Sequence, residues 1–354
     1  MRGRVVIAVI SAALIAGGCS TSDRSTPEVP HIFDLNVDSA AAITPVAPDR
    51  VNVIAAAQLR LTLERLLGWH VVTLTEVMAR TERGDEKLQP WMDALASNTD
   101  DVVGAVGLAY GPVVARAFGQ LWANHTQFLI DYAAALANHD AAAARTALAN
   151  LAEYEHDAAA LLDRATDGGA PAAAVQQLLE NHVAQMTSGL DAAARGQADR
   201  HAQISVDAHS YAIDIGDALG SAIAAQQPTA FPGAVDAGTT VLCSLANRQL
   251  GSWAMLAGGA ADGLWKPTTV APLRFGLLSI VDDQTGHVGW TALADSGSAF
   301  DAHAVAAPDA DASAVSDAGD RLTTAVAALG DHATVEQVKA LYDAATSLAP
   351  ALYP

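Results

Sequence analysis

The chain has 354 residues, of which 51% are hydrophobic and 16% charged, with a formal charge of −20, so it carries enough apolar material to bury a sizeable core. An acid excess of this size repels phosphate backbones and anionic lipid headgroups, which disfavours nucleic-acid partners and polybasic membrane docking and leaves cationic partners and metal ions. With two cysteines, Cys19 and Cys243, neither a disulfide framework nor a cysteine-based zinc site is expected.

In chain order, the short basic region Met1-Arg2-Gly3-Arg4 and the apolar run over 5–16 read as a signal peptide over 1–18. Gly17-Gly18-Cys19 resembles the lipobox of bacterial lipoproteins, with Ala16 where Leu or Val is commoner. The resemblance implies that Cys19 is lipidated and that the mature chain is anchored to the cell membrane, facing its extracytoplasmic side. Removing Arg2 and Arg4 from the 19 basic residues leaves 17 against 39 acidic ones, a charge of −22. Residues 19–50, with Pro27, Pro30, Pro45 and Pro48 and little periodicity, read as a tether.

From residue 51 the pattern turns helical. Leu63, Leu66, His70, Leu74 and Val77 mark one face of a first helix, which turns at Arg83-Gly84-Asp85. A second helix carries Trp91, Leu95, Val102 and Val106 and breaks at Ala109-Tyr110-Gly111-Pro112. Phe118, Leu121, His125, Phe128, Leu129, Tyr132 and Leu136 follow three or four apart, which places His125 inside the apolar stripe of a third helix. That helix turns at Asn138 and returns over 141–165. Another pair runs through Leu178, Leu179, His182, Met186 and Leu190 and returns over 199–225.

Aligned on their histidines, the three units repeat at nearly equal intervals, from His70 to His125 and from His125 to His182. The turns then fall together at Arg83, Asn138 and Arg195, and each return helix has an acidic position, Asp101, Asp157 or Asp217. This predicts an all-α domain over 51–227 built from three repeated antiparallel helical hairpins, forming a bundle or a short stack. A linker over 228–239 leads to a smaller, mainly helical region over 240–354. Within it, 275–281 and 287–293 read as a β-hairpin, 295–320 as an acidic loop, and 321–329 and 334–348 as closing helices.

Three constellations could carry chemistry. His70, His125 and His182 occupy equivalent positions and, if the hairpins close into one bundle, their imidazoles could converge on copper, zinc or iron. In a stack they would stand roughly 10 Å apart, too far for one ion to bridge. A buried neutral ring bonded to a carbonyl or to the acidic residue of its return helix explains the same pattern and is the favoured reading. Glu153 and His156 form the one E-x-x-H of the chain, of which a carboxylate di-metal bundle needs two, with Glu64 and Glu180 as possible companions; a solvated acidic helix face is the expected reading. Asp309, Asp311 and Asp320 loosely follow calcium-loop spacing, without its glycine, and read as an acidic linker. No G-x-S-x-G, H-E-x-x-H, Walker A or dinucleotide-binding fingerprint occurs.

The signal peptide followed by histidine-bearing hairpins, carried by 65–70, 121–131 and 179–182, resembles a group of secreted and lipid-anchored bacterial helical-repeat proteins. The likeness spans about 55–232 and implies an architecture and a location, with no catalytic residue to transfer. The reading favoured by the sequence is a non-enzymatic binding or scaffolding lipoprotein needing no cofactor, whose partner is an envelope protein or small ligand. The alternative is a metal-binding or metal-dependent redox protein that uses the three histidines.

Overall fold

A computed structural model describes residues 55–236, 238–265, 312–329 and 333–352. They form α1 (Ala56–Arg83), α2 (Leu88–Ala137), α3 (Ala141–Ala165), α4 (Ala172–Ala194), α5 (Ala198–Gln226), α6 (Gly238–Ala261), α7 (Ala312–Ala328) and α8 (Val335–Leu352). The fold is all-α, with no strand among the described residues. Cys19, the tether and the proposed β-hairpin lie outside them.

α1 is buried along most of its length, from Leu59 to Thr81, as expected of a helix surrounded by others rather than lying on a surface. It ends where Gly84 takes a left-handed conformation, φ 66° and ψ 40°, which a residue with a Cβ adopts only at a cost. α2 is not one rod. Gly111 has φ 77° and ψ 178°, and Pro112 follows, with no N–H to continue the ladder. The chain doubles back there: a Cβ at Gly107 would lie 3.4 Å from that of Ala115, and one at Gly119 would lie 3.1 Å from Val103. The break predicted from Ala109–Pro112 is therefore a hairpin turn between two antiparallel helical segments.

Helices α1 to α5 pack each against the next, and α1 packs most extensively against α5, so the five close into a ring. A bundle and not an open stack is the result. α6 covers α1 and α5, α8 packs on α6, and α7 on α8. α7 corrects one expectation. The acidic stretch read as a loop to residue 320 is helical from Ala312, because alanine is the best helix former and Ala318, Leu322 and Ala325 fall on one buried face. Asp320 therefore sits on a helix and not in a cation-binding loop. α2 is long and apolar enough to cross a bilayer by length and composition, but half of its most apolar window is buried inside the bundle.

The α1–α5 contact is close because α5 presents glycine there. A Cβ at Gly216 would stand 2.6 Å from the Glu64 backbone nitrogen, and one at Gly220 would stand 2.8 Å from Arg60 Cα. Buried charges on α1 are paired at the same level. Arg60 Nε lies 2.9 Å from both Glu64 and Asp217, and Ser244 Oγ on α6 donates to Glu64 at 2.9 Å. Lower on α1, buried Arg80 meets Glu76 at 3.3 Å, Asp85 at 2.7 Å and the buried Asp262 beyond α6. Burial pushes the Glu76 carboxyl up to about 7.

Gly216→Ala and Gly220→Ala decide how much this approach matters. Helix propensity alone would favour alanine by about 1 kcal/mol; the backbone contact predicts instead a net loss of about 1–3 kcal/mol for each, measured by urea denaturation. Unchanged or increased stability would show that α1 and α5 are not held this tightly.

Candidate metal centre

His70 on α1, His125 on the second segment of α2 and His182 on α4 come together in the middle of the ring. One nitrogen from each lies within 4.8 Å of the other two, and all three residues are buried. His125 Nε2 and His70 Nε2 are 3.2 Å apart. Two imidazole nitrogens bound to one ion at ~2.0 Å would stand about 3.3 Å apart, so this pair already has the spacing of two ligands. Centroids of the His70 and His182 rings are 6.1 Å apart. Among the described residues no other group of three histidine, cysteine or carboxylate side chains converges in this way.

The outer nitrogens show which lone pairs point inward. His125 Nδ1 lies 2.6 Å from the Trp122 carbonyl, an acceptor, so the proton belongs on Nδ1 and Nε2 is bare. Asn98 Nδ2 donates to Leu66 O at 3.0 Å, which leaves its Oδ1 as an acceptor beside His70. Asn98 favours the protonated His70 ring, and neither His70 Nδ1 nor Asn98 Oδ1 has a hydrogen-bond partner. With its proton on Nε2, His70 donates to the bare His125 Nε2; with its proton on Nδ1, it presents a second lone pair there. The two nitrogens are 3.2 Å apart, within reach of an N–H···N hydrogen bond, and an ion placed there would take a lone pair from each ring. Outer acceptors of this kind are what orient histidine ligands around metals.

Burial holds all three rings in the neutral form that binds metal. It lowers His125 to about 3, with His182 adding repulsion, and lowers His182 to about 4. His70 is held well below the usual histidine range by burial and then by its two partners. No carboxylate acts on any of the three. Aromatic rings complete the surround: Tyr154 stacks on His125 with centroids 4.7 Å apart, and Trp122 lies 4.6 Å from His70 and 4.7 Å from His125. The Trp122 indole N–H is buried with no partner.

His209 on α5 shows what a structural histidine looks like in the same protein. It is completely buried, yet its Nε2 meets Tyr342 Oη and its Nδ1 meets Ser252 Oγ, each at 3.0 Å. Both nitrogens are used, and the ring ties α5, α6 and α8 together. The three central histidines instead direct nitrogens at one another.

The remaining sequence candidates fare differently. Glu153 and His156 are exposed on α3, on the side away from the bundle interior, and no convergent group includes them. Glu64 is committed to Arg60 and Ser244. The expected aspartate partners do not reach the histidines either: Asp101 is exposed, and Asp217 pairs with Arg60. Cys243 is buried on α6, its thiol pushed up to about 11 by burial and by Glu64. Sequence reading missed Asn98, Trp122 and Tyr154 as members of the site; Asn98 was visible as an amide at an apolar position, one turn after Leu95. It also missed Glu155, buried on α3 and raised to about 7 by burial and by Glu180.

No family model, no curated protein and no solved structure matches the chain.

The buried rings dictate a pH dependence. For a histidine whose folded pKa lies below the unfolded value, the unfolded chain takes the proton first, and stability falls as pH drops below about 6.5 until the folded pKa is reached. His70, His125, His182, His201 and His209 are all lowered. Glu64, Glu76 and Glu155 are raised and act oppositely, losing stability as pH rises above about 4.5. The metal-free protein should therefore weaken on acidification, most steeply below about pH 4.5, by up to ~1.4 kcal/mol per pH unit for each uncompensated histidine. Urea denaturation between pH 7 and 4 checks this, and replacing the three central histidines by Gln should flatten the curve. A stability independent of pH over that range would contradict their burial as neutral rings.

Proposed function

We propose that the chain is a metal-binding protein in which His70, His125 and His182 hold one transition-metal ion inside a helical bundle. The observation that supports it best is the convergence of three buried imidazoles, one nitrogen of each within 4.8 Å of the other two and the His70 and His125 Nε2 atoms 3.2 Å apart. Imidazole suits copper, zinc and iron. Three neutral rings with no carboxylate leave a divalent ion's charge uncompensated in an apolar interior, where such charge is costly. A monovalent ion halves that charge, so copper(I) is the favoured occupant and zinc the next.

The role is that of a binding module, which keeps a metal or presents it. The N-terminal sequence supports placing the module on the extracytoplasmic side of the cell membrane, held by a lipid on Cys19 through the tether that runs to residue 50.

The full chain should bind one copper(I) ion, measured by elemental analysis after gel filtration under reducing conditions. Replacing all three histidines by Gln should abolish uptake while circular dichroism stays helical. Asn98→Ala, which takes the acceptor from His70, should weaken affinity by roughly 10–100-fold. Unchanged uptake by the triple variant would overturn the assignment.

A further inference from the structure

The three histidines lie at one end of a larger space. A cavity of about 60 Å³ runs through the bundle interior, bounded by α1 to α5. Along α3 its lining extends from Tyr154 beside the histidines to Ala165, eleven residues on, or about 16 Å at 1.5 Å per residue. Between those ends the walls are Leu63, Leu67, Leu179, Ile215 and similar side chains. Its volume is roughly four to six times what a single water needs, yet a water also needs two or more polar partners, and apolar cavities of this kind stay dry and admit apolar guests.

Three protein ligands leave a tetrahedral ion with an open position, the arrangement that distinguishes reactive from purely structural sites. We propose that this position, in the metal-loaded protein, is served by the cavity, which delivers and holds a small uncharged molecule of two or three heavy atoms, of the diatomic-gas class. The size of the space excludes a sugar, a nucleotide or a peptide, and its apolar walls exclude an anion. The unpartnered indole N–H of Trp122, beside His70 and His125, suits a guest that carries one weak acceptor atom. The proposal rests on the metal reading for the ion, while the cavity itself can be tested without it.

Two probes separate the two claims. Xenon, added to the full chain with and without copper(I), should shift the methyl resonances of Leu67, Leu179 and Ile215 in a saturable way. Carbon monoxide, added to the copper(I) form, should give a single infrared band from bound carbon monoxide. Ala158 lies in the wall one turn beyond Tyr154, so Ala158→Leu should remove the xenon shifts and weaken carbon monoxide binding at least tenfold while copper content is retained. Ala158→Val, a smaller intrusion, should show an intermediate loss and keeps the test open if the leucine variant does not fold. Copper retained without xenon shifts, or a carbon monoxide band indifferent to both variants, would overturn the cavity's role. Xenon binding in a chain that takes up no metal would overturn the metal reading, and with it the proposal that a guest meets a metal.

Discussion

α1 has almost no side that faces solvent, so each polar group along it must find its partner inside the protein. Unpaired buried charges cost several kcal/mol, and the helix carries Arg60, Glu64, Glu76 and Arg80 in its buried part. The surrounding helices are arranged to meet them: α5 brings Asp217, α6 brings Ser244, and the chain beyond α6 brings Asp262. The glycines of α5 permit the approach, since a methyl group at Gly216 or Gly220 would collide with the α1 backbone. Closure of α5 onto α1 is also what turns a row of hairpins into a ring, and only a ring has a centre at which residues from α1, α2 and α4 can meet.

The histidines stand apart from this pairing. Each buried charged group on α1 is answered by a neighbour of opposite charge or by a donor, whereas His70 is answered by two more imidazoles. His209 is as deeply buried and has both nitrogens satisfied, so burial alone does not account for the arrangement. A protein that needed only to fill this space could do so with leucine, as it does a turn or two away at Leu63 and Leu67. Three converging neutral imidazoles are instead the donor set of the proposed metal site, and their lowered proton affinity favours it, because a proton and a metal compete for the same nitrogen.

Much of the architecture could be read from residue order. Leucines three and four apart, the breaks at Gly84, Gly111-Pro112 and Gly196, and the near-equal histidine intervals placed the helices of the ring and marked the three histidines that meet in it. Whether those histidines met or stood apart depended on how helices distant in sequence pack, which no local pattern encodes; Gly216 and Gly220, far along the chain from their contacts on α1, made that choice. Asn98, Trp122 and Tyr154 escaped notice for a related reason, since each looks like an ordinary member of its own helix and becomes part of the site only through a neighbour elsewhere. Glu153 and His156 have a spacing that suits a metal, but α3 turns them outward, as expected of a solvated helix face, while Tyr154 and Glu155 between them face in. The acidic stretch before residue 320 looked like a loop because of its aspartates, and its alanines decided otherwise.

In the proposed function one ion sits among His70, His125 and His182. X-ray absorption at the copper edge on the loaded full chain tests it most directly. Three nitrogen neighbours at about 2.0 Å, with the outer-shell scattering of imidazole rings, are expected, and both should be lost when the three histidines are replaced by Gln. Oxygen ligands without imidazole scattering, or a spectrum that persists in the triple variant, would place the metal elsewhere and contradict it.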